Sequence, residues 1–276
     1  MVLCTHQPLP FRSIMTKYTV KDLAESGVRP PIVDPFFNVA VLASMPSPNK
    51  VAYAAMHQDY SSDQVDTLTT KLSNSECGNL LVEKLLKGGR GHYGCLEHIQ
   101  IVFSTGFFPH ATMQQARTHR ISISFDVQSY RYTSGNILAA ATEEFDAAKV
   151  EQCYYLRPVG RYTSRAGNPY DYTKELRYED LLWCWEAAKR YKQRFEVDGL
   201  SEEHARSAGI FDYRQHWVVS MNARSAFHFL DLRAKADAAP EIRVLSELIA
   251  MHLKDWIPEL YDWYEKNRMR KALLAP

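Results

Sequence analysis

Two stretches of this sequence crowd donor-rich polar side chains into apolar surroundings. The first is Gln114-Gln115-Ala116-Arg117-Thr118-His119-Arg120, followed by Asp126, Ser129, Arg131 and Tyr132. On a helix, at about 100° per residue, Gln114, Arg117 and Arg120 share one face and Gln115 and His119 another. Guanidinium groups present a rigid fork that matches phosphate or carboxylate, so such a face followed by Ser129 and Arg131 reads as a concave anion site. A solvated helix face carrying surface ion pairs is the plainer alternative. The second stretch is Asn222-Ala223-Arg224-Ser225-Ala226-Phe227-His228-Phe229-Leu230-Asp231-Leu232-Arg233. Here Arg224 and His228, and Phe229 and Arg233, lie one turn apart, and the aromatic and leucine residues draw the polar ones toward the core.

The elements around these stretches mix types. Residues 1–35, rich in proline, read as an irregular arm with a short helix near Val20–Ser26. Phe37–Ala43, Leu96–Phe107 and Phe125–Tyr132 read as strands by their alternation. Lys50–Gln58, Asp66–Lys87, Thr112–Arg120, Leu176–Asp198, Glu202–Ala208, Arg214–Ala234 and Pro240–Lys266 read as helices. Gly88-Gly89 ends the second of these, and Pro258 kinks the last. Thr163–Tyr172 reads as a polar loop, and Arg161 and Arg165 make it a candidate mobile segment beside an anionic ligand. Dominant helices with few, separated strands predict an α+β fold, and no composition shift divides residues 1–276 into domains.

Composition excludes several classes. With 276 residues, 46% hydrophobic and 24% charged, the chain has the makings of a sizeable core rather than of disorder. Its 33 Lys+Arg against 32 Asp+Glu disfavour an electrostatic DNA binder. Arg117, Arg120 and Arg131 do interleave with Phe125, Tyr130 and Tyr132, as in single-strand binding grooves, which keeps that alternative open. Five cysteines without a Cys-x-x-Cys pair speak for free thiols in a reducing compartment, the cytoplasm. No run is long and apolar enough for a membrane span, and the first twelve residues are too polar for a secretory signal. Neither the phosphate-binding Gly-x-x-x-x-Gly-Lys-Ser/Thr loop nor the Gly-x-Gly-x-x-Gly fingerprint occurs. Cys95 and His98, three apart on a strand, would face opposite sides, so no metal site is expected.

Together the two stretches resemble the flavin-dependent thymidylate synthases. Their signature, Arg-His-Arg, seven residues, then Ser and usually Arg-Tyr, is similar to Arg117 through Tyr132. Their Glu-His resembles Glu97-His98, and their Asn-x-Arg-Ser-x-x-x-Phe-Leu-x-Leu-Arg is matched from Asn222 to Arg233. The Arg that precedes that block resembles Arg206. There are departures. Thr118 parts Arg117 from His119, eight residues rather than seven separate Arg120 from Ser129, and Asp126-Val127 stands for Asn-Glu. Downstream, Asp237, Ala239 and Pro240 replace a His, a Gln and a Trp.

The resemblance implies an α+β fold with a central antiparallel sheet flanked by helices, in one catalytic domain. It implies methylation of dUMP to dTMP with FAD, with NADPH and methylenetetrahydrofolate as co-substrates, and no cysteine nucleophile. It assigns dUMP binding to Gln114 or Gln115, Arg117, Ser129, Arg131, Arg206 and Arg233. Arg233, at the uracil edge, is the catalytic group that stabilises developing negative charge. It assigns FAD binding to His98, Arg117, His119, Arg120, Asp126, Asn222, Arg224 and His228. It also implies a homotetramer whose subunits share active sites. A homologue that binds flavin or nucleotide without turnover is the alternative that the Thr118 departure raises.

Overall fold

The computed structural model describes residues 16–62, 64–65, 71–88 and 92–271. Its centre is a sheet in the order β1-β2-β3-β7-β4, antiparallel throughout. The first half of the chain supplies β1 (Lys17–Thr19), α1 (Val20–Glu25), β2 (Asn38–Ser44), α2 (Pro48–Gln58), α3 (Asn74–Leu81), β3 (Gln100–Pro109), α4 (His110–Ala116) and β4 (Ile123–Val127). Next come α5 (Gly135–Ala140), α6 (Ala147–Cys153), the hairpin β5 (Gly160–Thr163) and β6 (Pro169–Tyr172), α7 (Lys174–Lys192) and α8 (Glu202–Ala205). The chain then returns to the sheet as β7 (Arg214–Asn222) and closes with α9 (Ala223–Arg233), α10 (Pro240–Trp256) and α11 (Pro258–Asn267).

The main core lies between this sheet and α10. Along β7, Trp217, Val219 and Met221 are buried on one face, the period-two pattern of a strand with one side against a core. They meet Ile101 and Phe103 of β3, Phe229 and Leu230 of α9, and Ile242, Leu245, Leu248 and Ile249 of α10. Helix α10 is buried on nearly every side, and its apolar character follows from that position. Pro240 and Pro258 each sit in the first turn of their helices, where a missing N–H costs nothing, so Pro258 ends α10 and starts α11. A second, smaller core gathers Ile137 and Ala140 of α5, Val150 and Cys153 of α6, Leu181, Cys184, Ala188 and Tyr191 of α7, and Ala205 of α8.

The α+β fold, the central antiparallel sheet, the short helix at Val20, the strand near residue 38 and the break at Pro258 agree with the sequence reading. Other boundaries are corrected. The arm is not wholly irregular, because β1 pairs with β2 through Lys17↔Ala40 and Thr19↔Asn38. The expected helix over Asp66–Lys87 begins only at Asn74, where Ser73 and Glu76 form a reciprocal capping box, and residues 66–70 lie outside the described residues. Leu96–Phe107 is not one strand, since Tyr93–His98 is a 3-10 turn. Thr112–Arg120 is helical only to Ala116, and Phe125–Tyr132 leaves the sheet after Val127. Thr163–Tyr172 is a hairpin rather than a loop. Arg214–Ala234 is half strand, because the helical pattern of α9 stops at its cap, Asn222.

Candidate active site

Where α4 stops, the chain turns sharply. The amide of Thr118 bonds to the Gln115 carbonyl at 3.3 Å, and that of His119 to the Ala116 carbonyl at 3.1 Å. This turn drops His119 into the core, where it is only 7% exposed, and leaves Arg117 outside. After Arg120 the chain bends again at Ser122, which holds a left-handed φ of 53°, and enters β4. The Ser225 hydroxyl donates to the Ile121 carbonyl at 2.9 Å and ties this bend to α9. Helix α9 is capped by Asn222, whose side chain accepts from the Ser225 amide at 2.8 Å.

Between the bend and α9 lies a groove of about 520 Å3. Thr118, His119, Arg120 and Ile121 form one wall, and Arg224, Ser225, His228, Leu232 and Arg233 the other. The α9 spacing 224, 228, 232 is that of one helical face. Glu97 closes an end and pairs with Arg224 at 2.5 Å. Three arginines against one carboxylate leave the groove positive.

Arg233 is held by three acceptors. Its Nε donates to His119 Nε2 at 2.9 Å, and its Nη2 donates to Thr118 Oγ1 at 2.8 Å and to the Gln115 carbonyl at 3.4 Å. An Nε2 that accepts a hydrogen bond requires a neutral imidazole. Burial first, then the charge of Arg233, then His228, push the His119 pKa down to about 4, which keeps it neutral. His228 lines the same groove, and its buried Nδ1 has no partner among the described residues.

This donor set fits a large anionic heteroaromatic ligand such as FAD. Two cations at Arg120 and Arg224, the N-terminus of an eleven-residue helix and an unpartnered buried ring nitrogen suit phosphate and heterocycle respectively. Among the described residues no cluster of three or more His, Cys, Asp or Glu side chains is arranged to hold a metal ion.

The groove thus joins His119, Arg120, Arg224, His228 and Arg233 as anticipated, and it adds Thr118, Ser225 and Glu97. Other expected residues lie elsewhere. The shared helical face of Gln114, Arg117 and Arg120 does not exist, because α4 ends first, and Arg117 does not line the groove. Gln114 is exposed and bonds His110 Nε2 at 2.9 Å, whereas Gln115 supplies its carbonyl to Arg233. Asn222 is buried with its side-chain oxygen committed to the cap. His98 sits exposed at the end of the 3-10 turn, so Glu97 rather than His98 reaches the groove. Asp126 is exposed on the edge strand β4.

Ser129, Arg131 and Arg206 gather away from the groove. Arg131 pairs with Glu203 of α8, and Arg206 follows three residues on. Six residues of mostly extended chain, roughly 20 Å, separate Ile123 at the groove from Ser129. The Thr163–Tyr172 segment borders neither place. Tyr162, Tyr170 and Tyr172 wall a second cavity of about 370 Å3 with Gln115, Asp212 and Glu241. Its polar groups largely pair internally. Arg157 and Tyr155 donate to Glu241 at 2.7 and 3.0 Å, and Tyr172 donates to Asp180 at 2.6 Å.

Residues 40–259 match the family described as Thy1, thymidylate synthase complementing protein. A flavin-dependent thymidylate synthase of Haloarcula marismortui is 30% identical over 251 residues, which cover 87% of this chain and all of that one. One from Halobacterium salinarum is 30% identical over 86% of this chain and 99% of its own. The fold is shared with a UMP/dUMP methylase of Streptomyces cacaoi (TM-score 0.63, 20% identity, 86% and 96% covered). It is also shared with thymidylate synthase X of Helicobacter pylori, solved with FAD and dUMP (TM-score 0.60, 18% identity, 82% and 98% covered). By sequence over most of its length and by fold, this chain belongs to the thymidylate synthase complementing protein family, that of the flavin-dependent thymidylate synthases.

Proposed function

We propose that this protein is a flavin-dependent thymidylate synthase. It converts dUMP to dTMP with FAD as cofactor, methylenetetrahydrofolate as carbon donor and NADPH as reductant. The observation that carries the reading is Arg233, a half-buried guanidinium fixed by neutral His119 and by Thr118 at the wall of a positive groove. A fixed cation in a partly desolvated site stabilises charge that develops on a substrate ring, an effect worth on the order of 3 kcal/mol for one donor. FAD, when bound, supplies the hydride chemistry. Arg120, Arg224 and His228 hold it, with the capped start of α9 facing its anionic part.

The whole chain acts as one catalytic unit, and four copies assemble with shared active sites. The separation of Ser129, Arg131 and Arg206 from Arg233 supports this, because one copy's nucleotide-binding arginines then complete another copy's groove. Mixing two inactive variants, Arg233→Ala and Arg131→Ala, recovers activity if sites are shared and none if they are not. Among the described residues, four free, buried cysteines fit the reducing cytoplasm, and no helix there is long and apolar enough to cross a membrane.

The test is the visible spectrum of the purified protein, then dUMP titration and a turnover assay. Flavin absorption that shifts with dUMP, with dTMP formed, is expected. Binding without turnover would indicate a non-catalytic homologue. A colourless protein that takes up neither FAD nor dUMP would overturn the reading.

A further inference from the structure

The family signature places an arginine directly before its histidine, and this chain places Thr118 there. In the structure the consecutive residues Thr118, His119 and Arg120 line the groove, and Arg117 does not. Thr118 therefore occupies the first arginine's place. The extra residue of the long spacing falls after Arg120, in the bend at Ser122 with its left-handed backbone. An arginine at position 118 would confront Arg233 with a like charge. Threonine instead completes a relay. Arg233 Nη2 donates to Thr118 Oγ1 at 2.8 Å, and Thr118 Oγ1 donates to the Gln115 carbonyl at 2.7 Å. Gln115 also accepts from Arg233 at 3.4 Å, so hydroxyl and carbonyl grip one end of the guanidinium while His119 grips Nε.

We propose that Thr118 is a positioning residue: its hydroxyl fixes the Arg233 guanidinium in the plane from which it acts on the substrate. The proposal rests on the reading of Arg233 given above. A hydroxyl serves here because it accepts a hydrogen bond from the arginine and donates its own to a backbone carbonyl, leaving neither capacity unused. Valine has threonine's shape but can do neither, and serine can do both.

The experiment compares Thr118→Val and Thr118→Ser with the natural protein in two ways. The first is the rate at which phenylglyoxal modifies Arg233, followed by peptide mass spectrometry, which needs no ligand. The second is kcat and KM for dUMP in flavin-loaded enzyme. Loss of a hydrogen bond to a charged group predicts that Thr118→Val lowers kcat about tenfold, with KM for dUMP within about twofold. The valine variant should also speed Arg233 modification several-fold, and serine should restore both readouts. Natural Arg233 reactivity in the valine variant overturns the proposal, and so does a more reactive Arg233 with undiminished kcat. If the natural protein itself neither binds dUMP nor turns over, the functional reading falls. The modification rate then decides alone whether Thr118 holds the guanidinium. Should the valine variant fail to fold, Thr118→Ala takes its place on the same two measurements.

Discussion

A single imidazole carries much of the electrostatics of this site. His119 touches Arg233 through Nε2 and packs edge-on against Phe229 at 5.0 Å and His228 at 5.5 Å between ring centres. Its pKa falls from 6.5 to about 4 on folding, through burial first and the neighbouring Arg233 second. Between those values the unfolded chain binds the proton and the folded one does not, so stability rises with pH across that window. The contribution is complete above about pH 6.5 and is lost as pH falls toward 4. His216 and His252, also lowered by burial, act in the same direction. The melting temperature should therefore drop steeply between pH 6.5 and 4, and His119→Gln should make that slope shallower. Parallel curves for the two proteins would show that His119 binds its proton equally well folded and unfolded.

At the scale of elements, the sequence was most legible where periodicity and punctuation agreed. The α9 block was readable as a helix and the Pro258 break as a rule about backbone hydrogen bonds, whereas the cap at Asn222 was not, since the helical pattern reads straight through it from Arg214. The extent of α4 was not readable. Gln114 through Arg120 are acceptable helix residues, and the turn at Arg117 arises because packing of His119 against Phe229 outweighs local propensity. For the same reason the groove's Thr118 was missed, since a face drawn on a continuous helix omits a residue that a turn brings round, and Glu97 was hidden by a strand reading where the chain makes a 3-10 turn. Strand β7 was hidden by the strong helical signal that follows it, although Trp217, Val219 and Met221 alternate.

Arg214, the first residue of β7, anchors that strand. It donates to both oxygens of Asp34 at 3.1 and 2.7 Å, to the Phe107 carbonyl at 3.0 Å and to the Glu151 carbonyl at 2.6 Å. The Arg214 and Asp34 side chains are 3% and 5% exposed. Asp34→Ala strands a buried guanidinium and should cost about 3–5 kcal/mol in urea unfolding. A loss below about 1 kcal/mol would mean that the carbonyls alone satisfy it.

Across the whole molecule, two apolar clusters of unequal size are joined at a seam. There the chain passes from Tyr154 in the smaller cluster to Tyr155 in the larger, and Arg214 of the sheet reaches the last turn of α6 through the Glu151 carbonyl. The proposed active site draws on both sides of that seam, with Arg233 on the larger cluster and Arg131 and Arg206 on the smaller. Motion between the clusters would therefore change how the two sets of arginines meet.

Each cluster also contains its own clock. Cys95 lies in the larger core, and Cys153 and Cys184 lie in the smaller, all as free thiols whose pKa burial pushes up, to about 11, 12 and 12. Only the thiolate reacts with an alkylating reagent, so each is inert until its surroundings open. The smaller cluster buries less apolar surface and should open first. Timed alkylation in native buffer, read by mass spectrometry, should then label Cys153 and Cys184 before Cys95. A single common rate would instead mean that both clusters rupture together, and thiol-directed inhibitors would find no partial opening to exploit.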